Sequence, residues 1–139
     1  MPIQQSDVLY TAVATAENGR DGRVATDDGK LDVIVNPPAV MGGSGAGTNP
    51  EQLFAAGYSA CFQGALGVVA RQENADITGS TVTAKVGIGK NDDGFGLIVE
   101  ISASIPNVDA ETARSLLKKA HEVCPYSKAT RGNITVTLV

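Results

Sequence analysis

Apolar positions along the chain change their period several times, and each change marks an element. Val8–Ala16, a short stretch near Arg23–Thr26, and Leu31–Val35 are predicted strands, separated by turns at Glu17-Asn18-Gly19 and Asp27-Asp28-Gly29. Asn36-Pro37-Pro38 stops this first sheet. Asn49-Pro50-Glu51-Gln52 then places an N-cap residue, a proline at the first helical position and a Gln at N3, which opens a helix expected to run to about Glu73. Val82, Ala84, Val86 and Ile88 alternate with polar or small residues, as do Val99, Ile101, Ala103 and Ile105 across the turn Asn91-Asp92-Asp93-Gly94. That pattern predicts a hairpin, Thr81–Ile88 with Leu97–Ile105, buried on one face. Asp109 caps a second helix, with Glu111 in its first turn and Ala113, Leu116, Leu117, Ala120 and Cys124 as its apolar stripe. Pro125 is expected to end it, and Asn133–Val139 to close the chain as an alternating strand.

Strands in runs, rather than strands alternating with helices, indicate an α+β fold with mostly antiparallel sheet. At 139 residues the chain reads as a single domain, 1–139, able to bury a core without disulfides or metal. Its 42% hydrophobic but only 4% aromatic content makes that core aliphatic and rich in small residues. The formal net charge of −4 argues against a nucleic-acid or anionic-membrane surface. No basic segment followed by an apolar run opens the sequence, and two cysteines are too few for a disulfide scaffold. A reducing, cytoplasmic setting is therefore expected.

Two segments invite other functions. Leu53–Ala70 is uncharged and near the roughly 18 to 20 residues of a membrane span. It holds as much Ala, Gly, Ser, Gln and Tyr as Leu, Val and Phe, and it is read as a buried central helix. Met41–Thr48, MGGSGAGT, lacks the Lys-Ser/Thr of a P-loop and the GxGxxG spacing, so it reads as a loop allowing close backbone approach or ligand access.

Cys61 and Cys124 both fall on apolar helical faces. Two readings stand side by side: inert fillers of the core, since thiols pack as small hydrophobes, or a reactive pair. A reactive cysteine must be a thiolate, which burial opposes, so it needs a cation; an arginine suits because it stays charged and offers a planar fork of donors. Arg20, Arg23, Arg71 and Arg131 are the candidates, and Arg20 stands on the glycine-flanked turn Gly19-Arg20-Asp21-Gly22. Glu51 opens the central helix, where acidic residues are commonplace. His121, the single histidine, has no clustered ligands and reads as a helix-terminal residue rather than a metal ligand. Tyr126 and Ser127 follow the Cys-Pro step and are read as shaping a loop.

Four strings carry a more specific signal: Gly19-Arg20-Asp21-Gly22; Asn49 through Phe62, NPEQLFAAGYSACF; Gly94-Phe95-Gly96-Leu97; and Val123-Cys124-Pro125-Tyr126-Ser127 followed by Ala129-Thr130-Arg131-Gly132-Asn133. In these the chain resembles the organic hydroperoxide resistance branch of the Ohr/OsmC family, from Tyr10 to the C-terminus. The resemblance implies an OsmC-like fold around the long central helix and an intertwined homodimer with two interfacial sites. It implies a peroxidatic Cys61, a resolving Cys124, and an Arg20–Glu51 pair that activates the thiolate. It further implies reduction of organic hydroperoxides, fatty-acid hydroperoxides included, with no metal or haem and with a lipoylated protein or dihydrolipoamide as electron source.

The chemistry expected of those residues is consistent. Cys61 would attack a peroxide and become a sulfenic acid, and Cys124 would condense with it to a disulfide that a dithiol reduces. Phe54, Phe62, Leu66 and Leu97 are candidates for an apolar substrate lining. An OsmC-type peroxidase with another peroxide preference, and a redox sensor or binding domain switched by the Cys61–Cys124 bond, are the alternatives. Glu51 and Cys61, ten residues apart on one helix, differ by about 15 Å in height and roughly 80° in direction. Arg20 and Glu51 are therefore expected to act on Cys61 of the partner subunit.

Overall fold

The alternating segments fold into two three-stranded sheets in the computed structural model, which describes residues 2–139. The chain divides between Pro50 and Glu51 into two units, taken in turn.

In the first unit, β1 (Ala14–Glu17), β2 (Gly22–Thr26) and β3 (Asp32–Val35) form an antiparallel meander. The strand expected over Val8–Ala16 is shorter and shifted, because β2 is brief and its ladder pairs only Ala14 to Glu17. Residues 8–13 form no strand, and a short 3₁₀ turn, Gln5–Asp7, precedes them. Across β2 and β3, the Arg23 guanidinium forks onto Asp32, Nε to Oδ1 at 2.7 Å and Nη2 to Oδ2 at 2.6 Å. The Met41–Thr48 loop returns alongside β3, where Thr48 N donates to Ile34 O at 2.9 Å and Asn36 N to Thr48 O at 2.9 Å. Among the hydrophobic residues of 2–50 only Val35 is buried, while Leu9, Val40, Tyr10 and Ile3 are widely exposed.

All but the first residue of α1 (Pro50–Gln72) belongs to the second unit, and the helix ends one residue from the predicted stop. A long hairpin follows, β4 (Thr81–Asn91) and β5 (Gly94–Ser104), in register from Asn91↔Gly94 to Thr81↔Ser104. Then come α2 (Ala110–Val123), α3 (Pro125–Thr130) and β6 (Val136–Leu138). Asp109 caps α2 as expected, its carboxylate accepting from Thr112 N at 2.7 Å. β6 is shorter than the predicted Asn133–Val139 and runs parallel to β5, the one exception to antiparallel pairing among the described strands.

The core of this unit joins Tyr58, Phe62 and Leu66 of α1, Val99 and Ile101 of β5, and Leu116, Leu117 and Ala120 of α2. By length and composition α1 meets the criteria for a membrane span, but its buried residues recur at helical spacing within this core. It is the core helix the sequence predicted. Pro125 does end α2, yet it also opens α3, since proline at the first helical position loses no hydrogen bond. Cys124 consequently sits in extended backbone, φ −63° and ψ 123°, at the corner between two helices rather than on one. Leu116→Ala should cost about 2–5 kcal/mol, the range for a buried leucine truncation; a shift in urea unfolding equivalent to less than about 1 kcal/mol would contradict this core assignment.

Candidate active site

Two sulfurs meet where the α2–α3 corner abuts α1. Cys124 Sγ lies 3.6 Å from Cys61 Sγ, and both thiols are free. Cys124 is fully buried, while Cys61 is half-buried and retains access to solvent. Cys124 is held from both sides of the corner: its N–H donates to Ala120 O at 2.9 Å and its carbonyl accepts from Lys128 N at 3.0 Å. A disulfide bond is about 2.05 Å long, so closing the gap takes some 1.5 Å of movement, within reach of a rotamer adjustment.

Burial is the strongest influence on the Cys61 thiol and pushes it above its ordinary range. Cys124 beside it acts in the same direction, whereas the backbone N–H of Tyr126 favours the thiolate and pulls the other way. The balance leaves Cys61 raised. A thiolate here therefore requires a positive charge beyond these neighbours.

Tyr126, read from sequence as a loop residue, belongs to α3 and packs its ring against Phe54 and Tyr58, with centroids 6.1 Å and 5.7 Å away. Gly57 makes that possible: a Cβ there would lie 2.9 Å from Tyr126 Oη and 3.2 Å from the ring. Tyr126 also lines a cavity of about 280 Å³ with Phe54, Leu97, Ala129, Thr130, Asn133 and Ile134. Tyr126 thus lines this cavity while its backbone N–H favours the Cys61 thiolate. Of the four expected lining residues, Phe54 and Leu97 border this cavity. Phe62 and Leu66 are instead fully buried in the core, because their turn of α1 faces α2 and β5.

Sequence reasoning missed a buried polar chain behind the sulfurs. Tyr58 Oη lies 2.8 Å from Ser127 Oγ and 3.2 Å from Thr130 Oγ1, and Ser127 Oγ lies 2.7 Å from His121 Nδ1. Burial, and after it the charge of Arg131, hold the His121 imidazole below its ordinary pKa, with Glu122 opposing. The proline after Cys124, read as a first helical residue like Pro50, was the signal that would have placed Ser127 and Thr130 on a helix.

Arg20 stands exposed in the turn between β1 and β2. Asn18 and Gly19 take left-handed φ of 61° and 58°, Asn18 Nδ2 donates to Asp21 O at 2.7 Å, and Asn36 Nδ2 donates to Asp21 Oδ1 at 2.8 Å. A Cβ at Gly22 would fall 2.0 Å from Glu17 O, so the turn closes only on glycine. Glu51 is buried in the first turn of α1. That helix is unbroken from Pro50 to Gln72, so the separation of about 15 Å between Glu51 and Cys61 along its axis stands. From the sulfur geometry, a mild disulfide-forming oxidant such as diamide should convert the reduced chain to an internally bonded form. Mass spectrometry of the digested protein should find one Cys61–Cys124 cross-link; only intermolecular bonds, or none, would contradict the pairing.

The OsmC-like protein family model matches residues 42–139, more than half of the chain. An organic hydroperoxide resistance protein of Xanthomonas axonopodis pv. citri is 52% identical over 94% of each chain. Organic hydroperoxide resistance protein OhrB of Bacillus subtilis is 50% identical over 94% of this chain and 96% of its own. Among solved structures, a putative organic hydroperoxide resistance protein of Vibrio cholerae, with captopril bound in one of its active sites, superposes with a TM-score of 0.90 at 48% identity, covering 97% of this chain and 94% of that one. Family model, curated relatives and solved structures agree, and this chain belongs to the organic hydroperoxide resistance proteins of the OsmC-like family.

Proposed function

We propose that this protein detoxifies organic hydroperoxides by thiol chemistry, reducing them to alcohols. The observation that supports this most is the 3.6 Å approach of a half-buried Cys61 to a fully buried Cys124. Tyr126, whose backbone N–H favours the Cys61 thiolate, also lines an apolar cavity, and relatives at 50–52% identity are named for organic hydroperoxide resistance. The Cys61 thiolate attacks the distal oxygen of ROOH, the O–O bond breaks, and the leaving alkoxide takes a proton to become ROH. Cys61 is left as sulfenic acid, two electrons poorer. Cys124 then displaces water from it to form the disulfide, and an external dithiol restores both thiols by exchange. The reductant is a lipoyl dithiol, free or protein-borne, and the cycle calls on no metal or haem. Thiols that must return to the reduced state suit the cytoplasm. The apolar lining by Phe54, Leu97 and Ile134 favours alkyl and fatty-acid hydroperoxides over hydrogen peroxide.

Arg20 supplies the charge that Cys61 lacks, and it stabilises the leaving oxygen; Glu51 holds Arg20 in place. Both act across a homodimer interface, on the partner subunit's Cys61. The separation of Glu51 from Cys61 along α1 supports that arrangement. So does the first unit, whose Leu9, Val40 and Tyr10 are 100%, 95% and 79% exposed and gain from burial against a second copy.

With dihydrolipoamide as reductant, the protein should turn over tert-butyl hydroperoxide many times, and hydrogen peroxide far more slowly. Cys61→Ser should abolish consumption, and Cys124→Ser should oxidise once and recycle poorly. A single stoichiometric oxidation by wild type would indicate a sensor and end the enzymatic proposal. A second experiment addresses the shared site: mixing Cys61→Ser with Arg20→Ala protein should recover activity, up to about a quarter of the wild-type sites if half the dimers are mixed and each holds one complete site. No recovery after confirmed subunit exchange would place both groups within one chain.

A further inference from the structure

We infer that Tyr58, Ser127 and His121 are positioning residues for disulfide formation: a buried hydroxyl strut that sets the α2–α3 corner in register on α1 and so brings Cys124 to Cys61. The inference rests on the proposed Cys61–Cys124 chemistry but concerns its second step alone. The two contacts run in parallel. Tyr58 precedes Cys61 by three residues on α1, and Ser127 follows Cys124 by three, so one helical turn separates the hydroxyl pair at 2.8 Å from the sulfur pair at 3.6 Å. The strut closes a ring around the corner. His121 Nδ1 meets Ser127 Oγ at 2.7 Å, and Arg131 Nη2 donates to His121 O at 2.5 Å, tying the last turn of α2 to the end of α3.

Each hydroxyl has one proton to give. Thr130 gives its own to Ser127 O at 3.1 Å and so accepts from Tyr58, while the Tyr58–Ser127 and Ser127–His121 bonds take their direction together from the imidazole tautomer. Tyr58 and Ser127 are fully buried, as is Cys124, so a missing partner would leave an unpaired polar atom without water to replace it. Such a bond is directional where the surrounding apolar packing is not, which suits it to fixing a register.

The step it serves is Cys61–SOH plus Cys124–SH giving Cys61–S–S–Cys124 plus water: the S–O bond breaks, the S–S bond forms, and the thiol proton leaves with the hydroxyl. Attack by hydroperoxide on Cys61 does not involve Cys124, so the strut should not affect it. Sulfenic acid and disulfide would be followed by rapid mixing with tert-butyl hydroperoxide and trapping with dimedone, in wild type, Ser127→Ala and Tyr58→Phe. Tyr58→Phe keeps the ring packing and removes only the hydroxyl. Both variants should keep the rate of Cys61 oxidation within about twofold. Their disulfide formation should slow about ten- to hundredfold, the range for misplacing a reacting atom, with trapped sulfenic acid accumulating. Leu116→Ala, a core truncation that leaves every hydroxyl of the strut in place, should leave the ratio of the two rates unchanged. An unchanged second step in the strut variants, or equal slowing in Leu116→Ala, would overturn the inference. If wild type formed no sulfenic acid, the peroxidase proposal would fail separately. The strut would still be judged from the rate at which excess diamide, itself reduced to the hydrazine, closes the Cys61–Cys124 bond in the same variants.

Discussion

Everything in this molecule turns on a sulfur partly withdrawn from water. Burial around Cys61 raises the thiol above its ordinary range, and the neighbouring Cys124 adds to that. A free thiol ionises near pH 8.5, and each further unit of pKa costs a factor of ten in thiolate. The Tyr126 N–H offsets part of this. A hydrogen bond to one backbone group is a small counterweight to desolvation; a guanidinium at contact distance is a larger one. The proposed chemistry is therefore a statement about where a cation is delivered, and a stiff, glycine-closed turn bearing Arg20 is suited to deliver it.

The second unit explains why the sulfurs meet at all. A helix of 23 residues supplies Tyr58, Cys61 and Phe62 within little more than one turn. Cys61 keeps some exposure, while Tyr58 and Phe62 are fully covered by α2, α3 and the sheet. Pro125 breaks α2 at the residue where a thiol must leave helical geometry, and α3 then folds its polar side chains back onto α1. Gly57 removes the one side chain that would hold the Tyr126 ring away. Packing, a proline and a glycine thus convert two cysteines separated by 63 residues into neighbours at 3.6 Å.

Local rules were sufficient where a local signal was strong. The Asn-Pro-Glu-Gln start of α1, the Asp109 cap and the hairpin around Asn91–Gly94 are all recoverable from spacing and turn chemistry. Where the outcome depends on a partner strand, they were not: β1 is shortened by the brevity of β2, and β6 runs parallel to β5, a choice no alternation pattern encodes. The same limit applies to the site. Cys61 and Cys124 stood out as thiols on apolar faces, but their distance, and the chain from His121 through Ser127 to Tyr58, exist only after tertiary packing. Phe62 and Leu66 were legible as apolar but not as core rather than lining, since neighbours on one helix differ only in which face the rest of the unit covers.

The most direct measurement is the ionisation of Cys61 in the reduced protein, followed by ultraviolet thiolate absorbance or alkylation rate against pH in a Cys124→Ser background, with and without Arg20→Ala. A guanidinium against the sulfur predicts a pKa below about 7 that rises past the ordinary thiol range once Arg20 is truncated, where burial alone governs. An already elevated pKa with Arg20 present, or one indifferent to its removal, would contradict the account at its root.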